Sequence, residues 1–401
     1  MKKLLLLIPQ NVIPVTDGGK AGIYYPMIML AKKYEVKAIV FIDKLDVVDK
    51  NAYNKLGVDV EFLLIDKRDT VKNIGLNFLT PLPFKFYKYY KQEHQHKINS
   101  ICKNWQPNIV LCHHAHLAFY CKTFKKDFPT IKVFLREHNI EYLLVQQYYQ
   151  LQKNPLIKLL AYWQYCKTKK AEEKSWQWFN RVLFISDTDY NYVPKNIQKS
   201  IGTVLYDGGK LNLNNSATKK PYFLFTGKVT VLQNQYNVTH FIKNIWIPWK
   251  EKFDTKNFEF WITGSSKKEF LENVLIDEAE LEKYNIKVLG FVDDLNTIVH
   301  EATFIISPTM IGAGIRIKVI EALCMGSVVF LTDIDLKMVK HFNHLQNVIA
   351  YKDVNDFNKQ FALLIENNML YKQIQQNAIE TAKEYLNLNV MFNKLVATIE
   401  S

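Results

Sequence analysis

Short apolar runs alternate with longer amphipathic stretches along this chain, and the alternation occurs twice. In the first half the runs are Leu4–Pro9, Val36–Ile42, Val60–Ile65, Ile109–His113, Ile131–Arg136 and Val182–Ser186. They read as strands, with helical patterns between several of them, notably Lys20–Lys33 and Leu156–Phe179. Such alternation implies a parallel sheet with helices on both faces. Right-handed crossovers then place active residues at the carboxyl ends of the strands. Tyr206–Pro221, rich in Gly, Asn and Ser, reads as a linker. After it the strand-like runs restart at Tyr222–Thr226, Phe258–Thr263, Ile286–Leu289, Phe304–Ser307 and Val328–Leu331. Helical patterns lie at Val238–Phe253, Lys267–Leu275, Leu295–Ala302 and Ile315–Met325, and Val354–Glu400 is helical throughout. The pattern predicts an α/β fold of two Rossmann-like domains, their parallel sheets facing across a cleft, a common ligand position. The expected division is 1–205, a linker at 206–220, 221–385, and a terminal helix at 386–401. A chain of 401 residues is long enough for two such cores.

Composition narrows the setting. The start, MKKLLLLIPQN, has a signal-like charge and apolar run. That run is short and has no small-residue cleavage site after it, so it reads as the first buried strand. No stretch reaches the length of a membrane-spanning helix. The five cysteines, Cys102, Cys112, Cys121, Cys166 and Cys324, form no CxxC pair and fit reduced thiols of a cytoplasmic protein. The net charge of +13, from 52 basic and 39 acidic residues, points to nucleic acid, an anionic membrane surface or phosphorylated substrates. No basic-aromatic motif of a nucleic-acid reader is present. Phe84–Lys103 and Lys153–Arg181 interleave lysines with aromatics. Either they suit the headgroup level of a bilayer, for a protein peripheral on the inner membrane face, or they are solvated helices with inward-packed aromatics.

The richest segment is Ser307–Thr332, SPTMIGAGIRIKVIEALCMGSVVFLT. A strand ends near Pro308, Gly312 and Gly314 permit a tight turn, a helix comes next, and Gly326 stops it. A glycine turn feeding a helix N-terminus is an anion site, because backbone N–H groups and the helix dipole point at the ligand. Arg316 and Lys318 add full charges. Glu321, about one turn further on, suits a ribose diol rather than a phosphate. Phosphate with ribose means a nucleotide.

This unit resembles the donor-binding signature of the retaining glycosyltransferases of group 1, family 4, which have the GT-B fold. Glu321-Ala322-Leu323-Cys324-Met325-Gly326 fits the second glutamate of the family's two-glutamate motif and the helix end beyond it. The first glutamate would fall at Ala313 and is absent. The chain is closer to a branch with GxGIRxK before the surviving glutamate. The resemblance therefore implies sugar selection by other groups, such as backbone N–H groups over Gly312–Ile315. It also implies that Gly227-Lys228 stands where members carry a Gly-Arg pair on the donor diphosphate. The family's second lysine is missing, and Asn237 takes its place, as in that branch. Gly264 resembles a further glycine turn at the donor cleft, and Gly290–Asp294 the loop over the base.

In the first domain, Asp17–Gly22 opens a helix after the first strand, so N–H groups near Gly18 and Gly19 can meet an anion. The segment is no clean GxGxxG, and no acidic residue supports NAD. It reads equally as a plain strand-to-helix turn; the resemblance implies a loop near the donor phosphates. Arg136–Tyr142 crowds polar groups at a strand end, an unexpected content for a core. The resemblance implies that His138 hydrogen-bonds a sugar hydroxyl and the developing charge. Glu141 then binds or activates the acceptor, unless it and Asn139 only favour a helix N-terminus. His113, His114 and His116 invite a zinc reading. Neighbours on a strand point to opposite faces, however, and no carboxylate or thiol pattern completes a site. The preferred reading puts His114 or His116 on the acceptor side with no metal. Asp187-Thr188-Asp189 and Asp333-Ile334-Asp335 have DxD spacing, which is too short a motif to assign metal.

The expected activity is metal-independent, retaining hexosyl transfer from a nucleotide-diphosphate sugar to a saccharide or lipid-linked acceptor, in surface polysaccharide or glycolipid synthesis. No cofactor is expected beyond the nucleotide sugar as co-substrate, and no nucleic-acid partner. Lys228, Arg316 and Lys318 would neutralise the departing diphosphate, and the first domain would complete the site when the cleft closes. Two alternatives stay open: an epimerase or phosphorylase on the same architecture, and a non-catalytic nucleotide-sugar-binding protein.

Overall fold

The computed structural model describes residues 1–401 except 45, 69, 196–201, 214–217, 254 and 256, and the side chains of 71 and 72. The chain forms two compact units: Met1–Tyr206 with Phe392–Ser401, and Asp207–Met391. The terminal helix, Leu388–Glu400, therefore has residues in both. Its end is held in the first unit, where Glu400 accepts from the Tyr34 hydroxyl at 2.8 Å and pairs with Lys33 at 3.2 Å.

The first unit carries a seven-stranded, wholly parallel sheet in the order β3-β2-β1-β4-β5-β6-β7. The strands are β1 Lys3–Ile8, β2 Glu35–Ile42, β3 Val58–Leu64, β4 Ile109–His113, β5 Lys132–Glu137, β6 Arg181–Phe184 and β7 Gly202–Val204. The run Leu4–Ile8 forms central β1 and is fully buried, as a strand covered on both faces must be. The second unit has a six-stranded parallel sheet, ordered β10-β9-β8-β11-β12-β13. These are β8 Lys220–Thr226, β9 Glu259–Thr263, β10 Ile286–Gly290, β11 Ala302–Ser307, β12 Val329–Thr332 and β13 Ile349–Tyr351. Its core is aromatic: the Phe223 ring lies within 4.8–6.2 Å of the rings of Trp246, Trp249, Phe258, Phe304, Phe330, Phe357 and Phe361.

The pattern missed β7 and β13, each of three residues and too short to show a period. The expected helix Val238–Phe253 begins earlier and runs in three pieces, Leu232–Phe241, a π-helical Ile242–Trp246 and Ile247–Lys252. The expected linker is not a free tether in its described first half. Gly209 donates to the Leu386 carbonyl at 3.1 Å, its own carbonyl accepts from Leu388 at 3.0 Å, and Asn212 donates to the Cys324 carbonyl at 3.3 Å. Residues 214–217 of that segment lie outside the described residues.

Strand order reverses between β1 and β4 in one sheet, and between β8 and β11 in the other. At such a reversal the crossovers leave in opposite directions and open a crevice beyond the strand ends. The segments singled out by sequence come after β1, β4 and β5 in the first unit, and after β8, β9 and β11 in the second.

Candidate functional site

In the second unit, glycine turns end β8 and β9. Gly227 has φ 148° and Gly264 φ 97°, conformations that side chains rarely adopt. A Cβ on Gly264 would lie 3.0 Å from the Gly227 carbonyl carbon, so the two turns pack backbone on backbone. Lys228 comes next, its Nζ 5.4 Å from the ring of Phe291, an aromatic 69% exposed just beyond β10. Within the loop Gly290–Asp294, Phe291 was not singled out by sequence; an exposed aromatic after a strand-ending glycine was the available signal.

The loop after β11 is fastened from several sides. Asn237 is buried, and its Oδ1 accepts from Met310 N at 2.9 Å and Ile311 N at 3.0 Å, while its Nδ2 donates to the Ile311 carbonyl at 3.0 Å. Thr332 donates to the Thr309 carbonyl at 2.6 Å. Arg316 folds under this loop, donating to Thr309 Oγ1 at 3.3 Å and to the carbonyls of Ala313 and Ile311 at 3.4 and 3.5 Å. Its Nε lies 3.6 Å from Asp335 Oδ1. Asp335 is itself buried and accepts from Ser307 at 2.5 Å. Thus one aspartate of the second DxD spacing works as a counter-ion to Arg316. Gly312, φ 139°, leaves room for the guanidinium, since a Cβ there would come within 1.9 Å of it. Ala313 and Ile315 are buried, and Gly314 takes φ 69°.

The helix after the loop runs Ile317–Cys324, two residues later than its pattern suggested, and no side chain caps its N-terminus. Lys318 reaches back to the end of β8, where its Nζ donates to the Thr226 carbonyl at 3.0 Å and sits 3.7 Å from the Phe225 ring centre. Burial, with a smaller push from Arg316, lowers its pKa to about 7. Glu321 is partly exposed, and burial raises its pKa against the pull of Lys210. Gly209 packs on the same helix, since a Cβ there would lie 3.2 Å from Glu321 Cα. Lys228 and Lys318 thus lie at the end of β8 and Arg316 at the end of β11, while Glu321 lies one turn along the helix beside Gly209.

In the first unit, Asp17 caps the helix Gly18–Leu30, its Oδ1 accepting from Lys20 N at 2.9 Å. Gly18 and Gly19 are the first two residues of that capped helix. The polar crowd at the end of β5 and just beyond it is core after all: Arg136, Glu137, His138 and Glu141 are all buried. They are housed by partners from other parts of the unit. Arg136 donates to the Gly22 carbonyl at 2.5 Å. Glu137 accepts from Ala115 N at 3.0 Å and from the Trp176 indole at 3.1 Å, while burial pushes it up to about 8. Glu172 accepts from the N–H groups of Glu141 and Tyr142 at 2.8 and 2.9 Å, closing the N-terminus of the helix Glu141–Leu151. The partners of Lys85, Glu137 and Glu172 were not foreseen, because each pairing joins positions far apart in sequence.

The histidines come together as well. His114 has φ 68° and ψ 142°, which breaks the strand, so strand alternation no longer separates His114 from His116. His113 Nδ1 lies 3.1 Å from His138 Nε2. The His138 ring stacks on His114 with centroids 4.3 Å apart. Burial first, then the neighbouring histidines and Arg136, hold His138 well below the ordinary histidine range, so it is neutral at pH 7. Glu141 faces His116 Nδ1 at 3.5 Å and His114 Nδ1 at 3.8 Å, and Lys85 Nζ bridges its oxygens at 2.9 and 2.8 Å. Burial alone would raise Glu141; Lys85 and both histidines outweigh it and hold the carboxylate well below its usual range.

Residues 220–367 match the sequence model of the family described as Glycosyl transferases group 1. The segment contains Gly227, Lys228, Asn237, Gly264 and the whole loop and helix through Glu321. No curated protein matches the chain in sequence. Among solved structures, a glycosyltransferase from Rickettsia africae ESF-5 is similar with a TM-score of 0.66 at 14% identity, over 100% of this chain and 98% of that one. HepE of Anabaena, solved with UDP, gives 0.66 at 12% identity over 100% of both chains. Sucrose-phosphate synthase from Thermosynechococcus elongatus gives 0.67 at 10% identity, over 100% of this chain and 98% of that one. The fold is thus GT-B, two Rossmann-like domains each built on a parallel sheet.

Proposed function

We propose that the protein transfers a hexosyl group from a nucleotide-diphosphate sugar to an acceptor hydroxyl with retention of configuration. The observation that carries this reading is the presence of glycine turns and cations after β8 and β11: Lys228 follows the Gly227 turn, Lys318 reaches back to the Thr226 carbonyl, and Arg316 lies against the Gly312 loop, all inside the segment matching the group 1 family. In the reaction the bond from the anomeric carbon to the diphosphate breaks, and the acceptor oxygen bonds to the same face of that carbon. The acceptor proton leaves on the departing diphosphate. Charge grows on that diphosphate, and preorganised cations in a dry site stabilise it most where it grows. Lys318 and Arg316 supply this charge with the uncapped helix N-terminus, and no metal or further cofactor is assigned to the diphosphate. Glu321 takes the ribose hydroxyls. HepE was solved with UDP and with UDP-glucose, which supports a uridine nucleotide as the first donor to try. His138, neutral and buried, is assigned to a sugar hydroxyl, and His114, His116 and Glu141 to the acceptor.

The acceptor class we assign is a saccharide or lipid-linked saccharide at an anionic membrane surface, in surface polysaccharide or glycolipid synthesis. Of the two lysine–aromatic segments, the first packs its aromatics inward, with Phe86 and Tyr89 buried. The second supports the membrane reading. Its helix Pro155–Ser175 exposes Leu156 (72%) and Leu159 (65%) together with Ile157, Leu160 and Tyr162, beside Lys153 and Lys158. Trp163 stacks on Phe78 at 4.6 Å, which joins this face to exposed Leu76, Phe78 and Leu79. An apolar face rimmed by lysines is the composition of an interfacial helix. No helix among the described residues is long and apolar enough to cross a membrane.

A panel of nucleotide sugars scored by thermal stabilisation tests the donor assignment, since a ligand of the folded state raises its stability by mass action. Release of free nucleotide with candidate acceptors then tests transfer. Glu321→Ala is expected to weaken nucleotide-sugar binding, and full retained affinity removes Glu321 from its role. Sedimentation with vesicles of rising anionic-lipid content tests the membrane assignment, with Leu156→Ser/Leu159→Ser expected to lower binding. One observation favours a second reading, a non-catalytic nucleotide-sugar-binding protein: Arg316 is tied to its own loop and to Asp335. Nucleotide-sugar stabilisation without nucleotide release against any acceptor would establish that reading.

A further inference from the structure

We infer that His114, His116 and Glu141 form a binding site for a divalent metal ion of the zinc class in the first unit. The inference does not rest on sugar transfer, because metal binding is measured without turnover. One ligand atom from each of the three residues lies within 4.8 Å of the others. Glu141 Oε1 is 3.5 Å from His116 Nδ1 and 3.8 Å from His114 Nδ1. Around a tetrahedral zinc, with bonds of about 2.0–2.1 Å, neighbouring ligand atoms stand about 3.3 Å apart. The two carboxylate–imidazole edges are therefore open by only about 0.2–0.5 Å, and the third edge, between the two imidazoles, lies within 4.8 Å. Both contacts with Glu141 are long for hydrogen bonds, at 3.5 and 3.8 Å, and His114 Nδ1 and both ring nitrogens of His116 are buried with no partner in good hydrogen-bond geometry. Buried polar atoms without partners are unfavourable, and a metal ion is the partner that two imidazole nitrogens and a carboxylate can share. Two histidines and one carboxylate are also the donors of many catalytic zinc sites, which leave a fourth position for water or a substrate hydroxyl.

The carriers of these groups are fixed. Glu137 holds Ala115 N between the two histidines, and Glu172 holds the Glu141 N–H. His138 stacks against His114. Such surroundings orient metal ligands. Lys85 is the resident cation, bridging both Glu141 oxygens. A carboxylate has about four acceptor positions, so Lys85 leaves lone pairs on each oxygen. Its side chain is 47% exposed, which gives it room to swing outward when a metal enters. Lys85 and the metal thus compete for one carboxylate.

Co²⁺ is the probe, titrated into the untagged full chain after dialysis against chelator. We expect a saturable visible absorption band at one equivalent, displaced by Zn²⁺. His116→Ala is expected to weaken Co²⁺ binding by at least ~10-fold, whereas His96→Ala, at an exposed position, leaves it unchanged. Lys85→Met keeps all three ligands and is expected to tighten binding ~10-fold or more, because it removes a positive charge beside the ion. Absence of a saturable band in the wild type overturns the inference. So does a band that survives His116→Ala, or a Lys85→Met affinity equal to the wild type's.

Discussion

The two sheets reverse their strand order in the same way but use the crevice differently. At the β8–β11 reversal the groups are glycine backbone and cations, and the helix Ile317–Cys324 starts without a side-chain cap. At the β1–β4 reversal the helix Gly18–Leu30 starts under the carboxylate of Asp17, and the neighbouring strand ends carry paired histidines and glutamates. At the first end cations outnumber the one paired carboxylate, Asp335; at the second, carboxylates cap the helices and face the histidines. A diphosphate suits the first, whereas a hydroxyl or a metal ion suits the second. The difference teaches that strand order fixes where a crevice lies, while capping and charge at the loop decide what enters it.

Arg316→Ala should break this contrast most severely. It removes the loop's guanidinium and leaves Asp335 buried without that partner. Turnover is expected to fall by on the order of 100-fold or more, with a smaller change in KM, if the arginine acts on charge that develops at the transition state. A turnover number equal to the wild type's counts against the whole assignment of cations. The next largest effect is on stability. Gly264→Ala places a Cβ 3.0–3.3 Å from the Gly227 backbone at φ 97°. Backbone strain of this kind costs about 1–3 kcal/mol, which a shift in the urea midpoint would register. A midpoint unmoved by Gly264→Ala would mean that the two turns are not packed as described.

These sites were unequally legible. The second unit's candidates are local: Gly312, Gly314, Arg316, Lys318 and Glu321 fall within ten positions, and the positive φ of both glycines was legible from residue type. What lay hidden there was the work of Asn237, which staples the loop through three hydrogen bonds from a helix far away in sequence. The first unit's site was half legible. His114, His116, His138 and Glu141 were chosen individually, but their meeting depends on the φ of 68° at His114. Strand periodicity argued against that meeting, and nothing in a histidine-rich segment announces a left-handed residue. Arg136 and Glu137 look like surface chemistry by type. They are core only because Gly22, Ala115 and Trp176 supply partners across more than twenty positions of chain. The sheets were visible except at β7 and β13, where three residues carry too little pattern.

Lys318 sharpens the comparison through pH. Its pKa lies at about 7 in the folded chain against an ordinary 10.5. Below about pH 7 the lysine is charged both folded and unfolded, and its full burial penalty weighs on the fold. Between about 7 and 10.5 the unfolded chain binds the extra proton, so this group makes stability rise with pH. A bound diphosphate favours the charged form, so the sign for binding is opposite: affinity for UDP should decline as pH rises above 7. Calorimetry at about pH 8 in buffers of different ionisation enthalpy should detect proton uptake on binding UDP. Lys318→Met should abolish that uptake and flatten the pH dependence of stability; uptake that persists in the variant would place the titrating group elsewhere.

The smallest expected effect is at the first unit's own glycine turn, and it bears most directly on the contrast. Gly19 sits in the first turn of a helix whose cap is already made, and a Cβ there would meet Asp17 Oδ1 at 3.3 Å and Gln10 Nε2 at 3.7 Å. Alanine gains about 0.5–1 kcal/mol over glycine within a helix, and the slightly tight contact with the Asp17 side chain offsets part of that gain. Gly19→Ala should therefore leave stability within about 1 kcal/mol of the wild type. Because the Asp17 carboxylate already occupies the helix N-terminus, a phosphate there would meet like charge. Nucleotide affinity should accordingly change by less than about threefold, well under 1 kcal/mol. A larger loss of affinity in Gly19→Ala would mean that the donor phosphates approach this turn after all. It would also mean that Asp17 turns away when they do, since the close backbone approach that only glycine permits would then be part of donor binding.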